Sequence, residues 1–235
     1  MRLRASFTLP LIFLMATASA TLGQIEKGRS NVAPNALVSI SACPDSSRRL
    51  PKDLRSAFDA VVIVRAGTTS SSGVVISADG YAVTTAHVVS GLNEVPVFLH
   101  SGDRLSARVV SVDTAQDVAL VRLPGSGHAC LPVARKATPP AGTPVYAIGA
   151  AAGGDSAYSV TSCIISSFRP LSGYSYLQTD AILKPGTGGG PILTRDGQVI
   201  AVVSWNLAAV GFDGLAFGVP VDAVSRRLLL NWRQQ

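Results

Sequence analysis

Hydrophobic residues in this chain fall in short runs, each cut by glycine, proline or small polar residues. Runs of about four to eight residues rich in valine and isoleucine read as strands, because helices need longer periodic stretches. A first set predicts strands at Val61–Arg65, Gly73–Ser77, Tyr81–Thr85, Val95–His100, Leu105–Val112 and Val118–Leu123. A second set follows at Pro144–Ile148, Tyr158–Ile165, Tyr174–Thr179, Pro191–Thr194, Val199–Trp205 and Leu215–Val219. Between them Pro124–Gly142, with Pro132, Pro139 and Pro140, reads as a linker. Pro51–Ala60 reads as a short helix that tolerates Pro51 in its first turn. Val221–Trp232, apolar at Val224, Leu228 and Trp232, has the spacing of a terminal helix. Leu37–Ile40 adds one short strand to an otherwise polar extension, residues 21–50. The pattern predicts an all-β fold of two six-stranded antiparallel β-barrels with a C-terminal helix, since closing each sheet removes exposed edges.

Composition supports a folded chain: 47% hydrophobic against 14% charged residues leaves enough apolar surface to offset the entropy of ordering. The net charge of +6 is less informative than its placement. Arg2 and Arg4 precede the apolar run Phe7–Met15, which ends in Ala18-Ser19-Ala20. That is the layout of a secretory signal peptide, cleaved after Ala20. The run is shorter than the roughly 20 apolar residues of a bilayer span, so no stable membrane span is expected after cleavage. Loss of two arginines leaves a mildly basic exported chain, and charge does not mark it as a nucleic-acid binder. Arg48, Arg49, Lys52 and Arg55 form one basic cluster that a solvated helix face explains. Export permits one disulfide among Cys43, Cys130 and Cys163, with all three pairings open, and small buried thiols remain an equal reading. No cysteine or histidine spacing matches a zinc site, and no metal or cofactor is expected.

Three segments set polar residues of catalytic type among apolar strands. In Gly80-Tyr81-Ala82-Val83-Thr84-Thr85-Ala86-His87-Val88-Val89 a histidine follows a strand. In Gln116-Asp117-Val118-Ala119-Leu120-Val121 an acid opens one, and a partly buried carboxylate there needs a partner such as an imidazole N–H. The third, Gln178 to Pro191, contains Gly186-Thr187-Gly188-Gly189-Gly190, whose backbone N–H groups can converge on an anion. In this order, on this strand pattern, the chain resembles the chymotrypsin-fold serine endopeptidases, above all the bacterial HtrA/Deg-type branch. The matching stretches are Ser72–Tyr81, Thr85-Ala86-His87-Val88-Val89, Asp117-Val118-Ala119-Leu120, Gln178-Thr179-Asp180-Ala181 and Gly189-Gly190-Pro191, within about residues 60–223. The resemblance implies the chymotrypsin-like version of the two-barrel fold, with His87 as general base and Asp117 fixing its tautomer.

The third catalytic position departs from the family. Gly-Asn-Ser-Gly-Gly-Pro or Gly-Asp-Ser-Gly-Gly-Pro is replaced by Gly186-Thr187-Gly188-Gly189-Gly190-Pro191, so Gly188 stands at the nucleophile's place. Thr187 falls on a position whose side chain turns inward. The resemblance further implies an oxyanion hole from the N–H groups of Gly186 and Gly188. It implies an apolar specificity pocket lined by Ile182 and Leu183, with Ser204 and Trp205 on the substrate-lining strand. No carboxylate stands at Thr187 to pair with a new N-terminus, and only residues 221–235 follow the protease-like part, so no PDZ-like domain is expected. Three readings follow: an exported, periplasmic or secreted bacterial homologue impaired in catalysis that binds extended peptide; an active endopeptidase cutting after apolar residues; or a scaffolding domain with a vestigial cleft. In the first two the partner is a polypeptide.

Overall fold

A computed structural model describes residues 36–43, 54–134, 139–150, 158–204 and 216–233. The leader expected at residues 1–20, most of the extension and Trp205 lie outside these residues. Strand β1 (Val38–Ser41) and helix α1 (Leu54–Phe58) come first. Then follow β2 (Val61–Ala66), β3 (Thr69–Val75), β4 (Tyr81–Thr84), helix α2 (Ala86–Val89), β5 (Glu94–Phe98), β6 (Arg104–Asp113) and β7 (Val118–Arg122). Beyond the linker run β8 (Pro144–Ala150), β9 (Tyr158–Leu171), β10 (Tyr174–Thr179), β11 (Pro191–Leu193), β12 (Val199–Ser204) and β13 (Ala216–Pro220). Helix α3 (Val221–Arg227) and strand β14 (Leu230–Arg233) complete the order.

Two closed six-stranded barrels result, in the orders β2-β3-β4-β7-β6-β5 and β10-β13-β12-β11-β8-β9, every pairing within them antiparallel. The strands read as unbroken apolar runs because both of their faces are buried. Strand β7 shows the division. Ala119 and Val121 point into the first barrel, with Val62, Val64 and Ala82. Val118 and Leu120 point the other way, into a core shared with Ile148, Val199, Val202 and Phe217 of the second barrel. The second barrel's interior holds Val145, Ile165, Leu177, Ala201 and Val203. The shared core joins the two barrels, and the polar cluster described below bridges strands from both.

The C-terminal helix is shorter than the periodicity predicts. It stops at Arg227, Leu228 caps it, and Leu229 takes the left-handed backbone (φ 56°) that turns the chain into β14. Strand β14 pairs in parallel with β1, Val38 opposite Leu230 and Ser41 opposite Arg233. A partner this distant in sequence leaves no local signal, and Trp232 suits strand alternation as well as helical spacing. Strand β9 also runs on to Leu171, beyond the expected end at Ile165. Cys43 and Cys130 form a disulfide that ties the extension to the linker, while Cys163 is free and buried. No helix among the described residues is long and apolar enough to cross a membrane.

Candidate active site

Strand β4 ends at Thr84, and extended Thr85 (φ −81°, ψ 143°) turns the chain into α2, so His87 is carried on a rigid strand–helix corner. Its ring Nδ1–H donates to Asp117 Oδ2 at 2.8 Å and Oδ1 at 3.1 Å, and its backbone N–H donates to Oδ1 at 2.8 Å. One residue thus engages both carboxylate oxygens, which fixes the ring and leaves Nε2 facing outward. The Asp117 side chain is 2% exposed and that of His87 37%. The bond to the Asp117 carboxylate, aided by its charge, raises the His87 pKa above the ordinary 6.5, against an opposing effect of burial. Asp117 takes a left-handed backbone (φ 55°), which aspartate tolerates better than most residues. The turn before it is held by Gln116 N–H donating to Asp113 Oδ1 at 2.9 Å. Asp113 in turn pairs with Arg227 Nε of α3 at 2.8 Å.

The glycine-rich loop opens with a type II turn. Pro185 and Gly186 occupy its corners, Gly186 has φ 92°, and Thr187 N–H donates to the Lys184 carbonyl at 3.2 Å. Thr187 is buried, and its hydroxyl donates to the same carbonyl at 2.7 Å, so the hydroxyl is spent on the turn. The Gly189 N–H donates to Val203 and the Gly190 N–H to Thr187. Among the described residues the N–H groups of Gly186 and Gly188 have no acceptor. Gly189 (φ 81°) passes so close to the first barrel that a Cβ there would collide with the Ser72 carbonyl oxygen and lie 3.1 Å from Thr85 N. This contact sets the loop against the segment that carries His87. Gly188 is buried and is not among the glycines of positive φ.

Ser72 joins the two halves of the site. Its hydroxyl donates to the Gly186 carbonyl at 2.7 Å and accepts the Ala150 N–H at 2.8 Å. Its N–H donates to the Gly188 carbonyl at 2.8 Å, and its own carbonyl accepts the Thr84 hydroxyl at 2.7 Å. Ser72 draws notice in the sequence only as a member of a longer stretch and Asp113 not at all, because neither a buried serine in a strand nor an acid at its end carries a spacing signal. Ile182 and Leu183, expected to line an apolar pocket, face different surroundings. Ala181 is buried, its N–H held by the Thr179 hydroxyl at 3.0 Å, and the next side chain faces out: Ile182 is 86% exposed. Leu183 packs against the second barrel's interior, and Ser204 is buried at the end of β12. The arrangement can orient a base and present two backbone donors, and position 188 supplies no attacking oxygen.

A family model for the trypsin-like peptidase domain matches residues 71–202. A probable periplasmic serine endoprotease, DegP-like, of Halomonas elongata is 39% identical over 156 residues, which cover 64% of this chain and 32% of that relative. Proteins described in the same words from Ectopseudomonas mendocina and Pseudomonas fluorescens are 36% and 34% identical over 163 residues, covering 67% of this chain and 34% of each relative. The chain spans about a third of the length of the curated relatives it matches.

Proposed function

Since this chain belongs to the trypsin-like peptidase domain family, we propose that it is an exported homologue impaired in catalysis, in which Gly188 replaces the nucleophile and the cleft still binds extended peptide. The relatives named above are periplasmic, which puts this chain in the same exported setting. The Cys43–Cys130 disulfide suits an oxidising compartment. On this reading residues 1–20 are removed, residues 51–235 form the peptidase domain, and the substrate class is polypeptide.

The observation that carries the reading is the pairing of a complete His87–Asp117 couple with a glycine at position 188. His87 would act as general base, Asp117 would hold its tautomer, and the N–H groups of Gly186 and Gly188 would receive an oxyanion. Without a serine oxygen there is no acyl-enzyme. In other serine proteases loss of that oxygen costs about 10⁶ in kcat, leaving roughly 10³ to 10⁴ over water from oxyanion stabilisation and binding. Substrate binding requires no nucleophile, since an extended peptide docks through backbone hydrogen bonds.

A fluorophosphonate probe tests the assignment, because it reports an activated serine whatever the substrate. The unaltered protein is expected to remain unlabelled, and Gly188→Ser to become labelled and cleave after apolar residues. The backbone at position 188 lies outside the left-handed region, so serine meets no conformational bar there. Labelling of the unaltered protein would establish a working nucleophile elsewhere. A well-folded Gly188→Ser protein, by its melting curve, that stays inert would show that the remaining machinery has decayed too.

A further inference from the structure

Among the described residues the N–H groups of Gly186 and Gly188 have no acceptor, and Gly188 is buried. Buried N–H groups are almost always paired, with protein, water or ligand. Resting on the reading above, we propose that the cleft is a receptor for the free C-terminal carboxylate of a peptide. One carboxylate oxygen lies on the N–H groups of Gly186 and Gly188, and the other faces His87 Nε2.

The argument follows from what glycine removes. A scissile carbonyl carries one oxygen and needs an attacking group beside it. A carboxylate carries two, and the hydroxymethyl group of a serine at position 188 would compete with the second for space. Glycine leaves that volume open. Converging backbone donors form a concavity for an anion, and such nests are a recurring means of capturing peptide C-termini. His87 completes the set: with Nδ1 committed to Asp117, its outward Nε2 is the group left to meet a ligand. The raised pKa of His87 favours the form in which Nε2 is a donor. The charge around the loop is also permissive. From Ile182 to Pro191 there is no acid, and Lys184 is exposed on the turn. The nearest acid before the loop, Asp180, has Oδ1 engaged by the Ile164 N–H at 2.8 Å. Asp117 lies buried behind His87, where it favours the imidazolium.

The test uses the full-length mature protein and one peptide in two forms, N-acetyl-Ala-Ala-Val-Val-Leu with a free carboxylate and as the C-terminal amide, followed by titration calorimetry. The acid is expected to bind at least about tenfold more tightly, the worth of one charge-assisted hydrogen bond. His87→Ala should remove most of that preference in a variant whose melting curve still shows a cooperative fold, and His87→Gln serves the same purpose if alanine unfolds the corner. Equal binding of acid and amide overturns the carboxylate inference and leaves the peptide-binding reading standing. A preference that survives both histidine variants also overturns it, because the carboxylate then binds elsewhere. Binding of neither form overturns the peptide-binding reading and the inference with it.

Discussion

Asp117 meets His87 through both carboxylate oxygens, and this double grip, more than either residue's identity, decides what the imidazole can do. The folded pKa of His87 is raised, so the stability carried by its charge is fully present below the unfolded value of about 6.5 and is lost as pH climbs through the folded value. Asp117→Asn should bring the His87 titration, followed by NMR of the ring C–H signals, back down to the ordinary range or below it. The melting-temperature advantage of the unaltered protein over that variant should be largest below pH 6.5 and shrink above it; an unmoved titration would mean that the ring's partner lies elsewhere. Both residues were legible in the sequence through their order on the strand pattern and the family resemblance that order carries, not through either residue alone. Ser72 was not. Its importance comes from four hydrogen bonds, three of them to residues 78 to 116 positions away, and no local pattern encodes those.

Apart from the C-terminal end of β9, the strands of the barrels were readable to within about four residues, and β7 shows why. Alternation fails on it because each face has its own core, and the run Val118–Val121 is the form that two-sided burial takes in sequence. Leu120, fully buried among residues of both barrels, should cost about 2–5 kcal/mol on truncation to alanine, measured by denaturant unfolding. A loss below about 1 kcal/mol would mean that the shared core is far looser than its packing. The terminal helix was overread for the complementary reason. Val224 and Leu228 obey a helical period, but Leu230 and Trp232 are the half-buried members of an alternating strand. The strand exists because β1 lies beside it, and a parallel partner from the other end of the chain is invisible to any local window.

At the scale of the molecule the two barrels and their order along the chain followed from two sets of six apolar runs, whereas the core shared between them did not. The disulfide did not, since three cysteines allow three pairings. Its position has structural weight: Cys43 and Cys130 are 87 residues apart and enclose every strand of the first barrel, Val61 to Arg122. In the chain-entropy view, closing a loop of that length stabilises the fold by about 4–5 kcal/mol. The β1–β14 clasp adds a mechanical consequence. Because those strands are parallel, tension applied at residues 36 and 233 draws them past each other lengthwise, and their bonds must share the load instead of opening in turn like a zipper. When the clasp yields, the covalent bridge carries the tension directly from residue 43 to residue 130, and the first barrel feels none of it. Single-molecule stretching of the oxidised protein should therefore fall short of the reduced protein's full extension by about 300 Å, the reach of 87 residues at roughly 3.4 Å each.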